Sequence, residues 1–70
     1  MTKVVFIEVI RGFWKNSYKE LGTKEMEVIP EKGDSIYKEG KYWLVILRRF
    51  VFDKEKGDYI KLFIEPYTVN

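Results

Sequence analysis

Between Lys41 and Asp53 the chain reads KYWLVILRRFVFD, a run that is apolar at both parities until two arginines interrupt it. Successive side chains of a strand point to opposite faces, so Trp43, Val45 and Leu47 would share one side and Tyr42, Leu44 and Ile46 the other. Aromatic and branched residues dominate and no Gly or Pro breaks the run, which favours a strand. As a helix, the same residues would leave no polar face around its circumference. The stretch is therefore expected to be a central strand that needs cover on both sides. Arg48 and Arg49 put one charge on each side unless a bulge re-aims them; Phe50 and Phe52 resume the apolar pattern.

That cover must come from a short chain. Seventy residues make a single domain (1–70, with 67–70 a tail), which buries only about 60% of the surface its unfolded chain exposes. There is no Cys and no His, which excludes disulfides and a zinc site of the usual kind and leaves association as the remaining source of stability. Thirteen Lys and Arg against eleven Asp and Glu give +2, too small an excess to imply a polyanionic partner on charge alone. The opening MTKVVFIEVIRGF has a short apolar run broken by Glu8 and no small-residue cleavage site. No apolar stretch approaches the roughly 20 residues that span a bilayer. The expectation is an intracellular, cytoplasmic protein with no membrane partner and no cofactor.

Further strands follow from alternation. Lys3 to Trp14 is apolar on both sides, with Val5, Ile7 and Val9 on one and Val4, Phe6 and Ile10 on the other, until Gly12 ends or kinks it. Lys15 to Thr23 is polar and reads as a long loop or a single helical turn. Lys24 to Ile29 alternates as a half-exposed strand that Pro30 terminates. Glu31 to Asp34 is a turn, Ser35 to Lys38 a short strand, and Glu39-Gly40 a tight reversal into the central run. Lys54 to Gly57 is a hairpin loop. Asp58 to Pro66 is the last strand, with Ile60, Leu62 and Ile64 facing one way and Tyr59, Lys61, Phe63 and Glu65 the other.

Five strands joined by short connections are expected to form an all-β, antiparallel domain, either a small barrel or a strongly bent sheet. From Pro30 onward, P-E-K-G-D-S-I-Y-K-E-G-K-Y-W-L-V, a charged hairpin and Y-I-K-L-F-I-E-P follow one another. In this, residues 30–66 resemble small SH3-like barrel domains, where a proline-glycine turn leads into a short strand, a G-K reversal and a long central strand. The resemblance implies a fold, and such barrels host unrelated activities.

Catalysis is not expected. Without His or Cys the chain has no ordinary general base near neutrality and no thiolate nucleophile, and neither Ser17 nor Ser35 has a partner suggested by spacing. Asp53 to Asp58 looks faintly like a calcium loop, but glycine is fifth instead of sixth and the twelfth position is Ile64 instead of glutamate, so it reads as a charged hairpin tip. Two binding functions remain. If Trp43, Val45 and Leu47 join Ile60, Leu62 and Ile64 inside, then Tyr42, Leu44, Ile46 and Phe63, with Val4 and Phe6, form an apolar row larger than a monomer should expose. That row points first to a protein-interaction module, expected to self-associate as a homodimer, of the kind a phage or mobile element uses as an accessory or inhibitor acting by occlusion. The alternative is a nucleic-acid-binding small barrel using Arg11, Trp14, Tyr18, Arg48 and Arg49, a mixture of cations and rings suited to single strands. Against it, Glu8, Glu20, Glu25 and Glu27 would sit near the same surfaces and weaken the field.

Overall fold

The computed structural model describes residues 1–68; the last two residues of the expected tail, Val69 and Asn70, lie outside the described residues. Five strands make one sheet: β1 (Thr2–Ile10), β2 (Ser17–Met26), β3 (Ser35–Lys38), β4 (Lys41–Val51) and β5 (Tyr59–Pro66). Their order across the sheet is β2-β1-β5-β4-β3. The long run identified in the sequence is β4, second from one edge, and the first and last strands of the chain lie side by side in the middle.

Three of the four pairings are antiparallel, but β1 and β5 run parallel, with Val4 opposite Ile60 and Phe6 opposite Leu62. This corrects the expectation of a purely antiparallel sheet. A parallel pair needs a long crossover, and here residues 11–58, including β2, β3 and β4 themselves, supply it without a helix. The second strand also differs from expectation. The stretch 17–23, polar and rich in turn-forming residues, is strand from Ser17 onward, because pairing to β1 overrides weak local preference; residues 27–34 are the irregular connection.

The inner face follows directly from the ladders. Val4, Phe6, Trp43, Val45, Ile60, Leu62 and Ile64 form one buried cluster, over which Leu21, Met26, Ile29 and Ile36 pack. Trp43 is 3% exposed and its indole N–H donates to the Lys38 carbonyl at 3.1 Å, so the one polar atom of that ring is satisfied. Val4 and Phe6 are therefore core residues, which corrects their expected place in an outer row. Their neighbours Val5 and Val9 take the other face.

A bulge explains the other departure. Val45 lies opposite Ile64 and Leu47 opposite Phe63, which leaves Ile46 without a partner in the ladder. One extra residue inverts the alternation beyond it, so Leu47, expected inside with Trp43 and Val45, joins Phe63 on the outer face and is 40% exposed. Arg48 and Phe50 correspondingly turn to the inner side, opposite Leu62 and Ile60.

The sheet is strongly curled, yet β2 and β3 do not meet: no Cα of one comes within 8 Å of a Cα of the other. Paired strands lie about 4.8 Å apart, so the molecule is an open half-barrel and not a closed barrel. At the β3–β4 reversal Glu39 and Gly40 both adopt positive φ, 52° and 82°, the two-residue turn whose twist matches its flanking strands.

Candidate functional site

The outer face is built in rows. Phe63 of β5 lies between Ile7 of β1 and Leu47 of β4; one step along, Lys61 lies between Val5 and Arg49. These rows surround a depression of about 590 Å³. Ile7, Val9, Ile46, Leu47 and Phe63 make its floor, and Arg11, Arg49, Lys61, Asn16 and Tyr18 its walls. Phe63 is held from two sides: the Tyr18 ring meets it edge to face at 5.9 Å, and the Arg49 guanidinium lies over it at 5.1 Å. Both geometries are favourable for an aromatic quadrupole.

The three cations of the wall differ in their partners. The Arg11 Nε–H donates to Glu65 Oε2 at 2.8 Å, and this hydrogen bond and charge raise the guanidinium's pKa against a small opposing effect of burial. Among the described residues, Arg49 and Lys61 have no carboxylate within 4.0 Å. No carboxylate lines the depression. Glu8 pairs with Lys19 and Ile64, so it belongs to the inner face; Glu25 pairs with Lys3; and Glu27 is past the end of β2. Glu20 is opposite Ile7, on the outer face, but outside the lining.

Of the residues expected to contact nucleic acid, the structure brings Arg11, Tyr18 and Arg49 together and separates two. Arg48 is on the inner side, its guanidinium 5.2 Å from the Phe50 ring and 3.8 Å from Glu31. Trp14 stands at the tip of the β1–β2 loop. Of the expected interface residues, Ile46 and Phe63 are in the floor, while Tyr42 and Leu44 continue the outer face toward β3; the Tyr42 ring meets Tyr37 at 5.0 Å. Lys61 and Asn16 were not among the candidates. The alternation of β5 already put Lys61 on the same face as Phe63, so Lys61 was legible; nothing local marks Asn16.

This set of side chains recognises. Guanidinium, ammonium, amide and phenol donors on the walls suit anionic oxygens, and the floor suits a flat apolar group. Comparison of the chain with family models, with curated proteins and with solved structures found no match.

Proposed function

We propose that the chain is a non-enzymatic binding module that takes nucleic acid on the outer face of its half-barrel. The observation that carries this reading is the depression itself: three cations and the Tyr18 ring surround an apolar floor that includes Phe63, and no carboxylate lines it. A base can lie against the exposed Tyr18 ring, which is itself propped on Phe63, while its phosphates reach Arg49 and Lys61, the combination that strand-binding sheets use. The glutamates that weighed against this reading in the sequence are outside the depression. The resemblance of residues 30–66 to small SH3-like domains bears on fold alone.

A protein partner is the second reading, favoured by Tyr37, Tyr42 and Leu44 on the outer face beside β3. It ranks below the first for two reasons. The apolar row loses Val4 and Phe6 to the core, and a two-fold contact centred on the depression would oppose Arg49 and Lys61 of one copy to the same residues of the other.

The test is binding of a fluorescently labelled oligonucleotide at low salt, followed by anisotropy. The wild-type chain binds, and Arg49→Ala and Lys61→Ala each weaken it several-fold; a flat titration at low salt disposes of the proposal. Solution mass measured against concentration tests the second reading: a monomer at all concentrations removes the homodimer, and a dimer that Leu44→Glu dissociates supports it.

A further inference from the structure

The depression ends at the loop between β1 and β2. Both feet of that loop, Arg11 and Asn16, are in its wall. The tip carries Phe13 and Trp14, which are 92% and 91% exposed and pack edge to face with ring centroids 4.9 Å apart. In a chain with so little core, two of its largest rings are withheld from burial. The loop is also tight. A β-carbon on Gly12 would fall 2.2 Å from the Lys15 carbonyl oxygen, so only glycine fits there and the tip is presented by a constrained backbone. Lys15, next to the rings, has no carboxylate within 4.0 Å among the described residues.

We infer that this loop is a stacking arm for single-stranded nucleic acid: bases adjoining the one seated in the depression stack on Trp14 and Phe13, and Lys15 meets the phosphate between them. The inference rests on the nucleic-acid reading and adds the substrate class. Rings at a loop tip can reach the faces of unpaired bases, whereas a duplex hides those faces in its own stack. An aromatic and basic tip also suits an anionic lipid surface. What favours a strand is the continuity of the tip with a cation-walled depression, which a strand can enter and a flat bilayer cannot.

Tryptophan emission tests this directly. Trp43 is buried with its N–H bonded, so a change on binding reports Trp14. The wild-type chain is titrated with a short oligothymidylate, with a duplex of the same length, and with phosphatidylcholine vesicles with and without phosphatidylserine. Oligothymidylate is expected to quench Trp14. Trp14→Ala loses about tenfold in affinity for it, with the salt dependence unchanged because no phosphate contact is lost; Trp14→Phe keeps most of the affinity, and the duplex binds weakly. Binding that needs Arg49 and Lys61 but leaves Trp14 emission and the Trp14→Ala affinity unchanged overturns the arm and leaves the depression standing. No binding of oligothymidylate at low salt removes both. A blue shift on anionic vesicles without quenching by oligothymidylate overturns the inference in favour of a lipid surface. The Trp14 variants change an exposed ring that packs on Phe13 at the loop tip, and unaltered Trp43 emission checks that they fold.

Discussion

Leu62 has no exposed surface and lies at the centre of the inner cluster, between Phe6 on one strand and Arg48 on another. Its truncation to alanine is expected to cost about 2–5 kcal/mol, read from urea unfolding, which is much of what a domain this small has. Glu39 offers the opposite. It holds φ at 52°, where most side chains are strained by about 1–2 kcal/mol but asparagine is tolerated. Glu39→Asn should therefore stabilise the fold by about 1 kcal/mol and raise Tm by roughly 4–8 °C. Asp53 gives a pH signature: Oδ1 accepts the backbone N–H groups of Lys56 and Glu55, which hold its pKa below the ordinary aspartate value. A depressed folded-state pKa contributes stability above the unfolded value that is lost as pH falls through the lowered one. The Asp53 carboxyl should accordingly titrate below a free aspartate by NMR, and Asp53→Asn should flatten the acid limb of the stability curve. At this scale much was readable: alternation alone assigns Trp43, Val45, Ile60, Leu62 and Ile64 to the interior. It misplaces Val4 and Phe6, because a strand apolar at both parities does not say which parity faces the core.

The bulge at Ile46 is the element that shapes the outer face. It turns Leu47 and Arg49 outward into the depression and Arg48 inward. Adjacent positions already put Arg48 and Arg49 on opposite faces; which of them faces out depends on the bulge, and that was not readable, since Tyr42 to Leu47 is a continuous apolar run. Deleting Ile46 removes the one residue of that stretch without a ladder partner and leaves every other side chain of β4 on its present face. That variant is expected to keep its near-UV dichroism and lose less than about 2 kcal/mol, within the range of ordinary substitutions. Deleting Leu44 instead inverts the face of Trp43 and should unfold the chain. Equal damage from both deletions would show the ladder to be misassigned. The second strand was least readable of all: Ser17 to Thr23 carries no strand signal of its own and becomes strand only by lying along β1.

For the whole molecule, the strand order matters more than the strand count. Periodicity gives the face of each strand but not its neighbours, so five strands and the all-β class were within reach of the sequence and the parallel β1–β5 pair was not. With β5 between β1 and β4, it is the one strand among the described residues that is hydrogen-bonded to both the β1–β2 and the β3–β4 pairs. A chain ending at Gly57 would hold two separate two-stranded ribbons, which are marginal in water, and far-UV dichroism should find it unfolded. The radius of gyration, 12.6 Å, exceeds the about 11 Å of a compact chain of this length, as an open curled sheet with a protruding loop should. That openness leaves the outer face without a second layer of structure over it, where Arg49 and Lys61 are free to hold phosphates if the chain binds nucleic acid. The most direct test is the affinity for oligothymidylate measured against salt, for the wild-type chain and for a variant combining Arg49→Ala and Lys61→Ala. Single-strand binding loses about 0.7 in log–log slope per phosphate contact. Arg49 and Lys61 should together contribute about 1.4 to that slope, so the wild-type dependence on salt is expected to be steeper than the variant's by about that amount. A slope that both proteins share, or no binding by the wild-type chain at low salt, would contradict it.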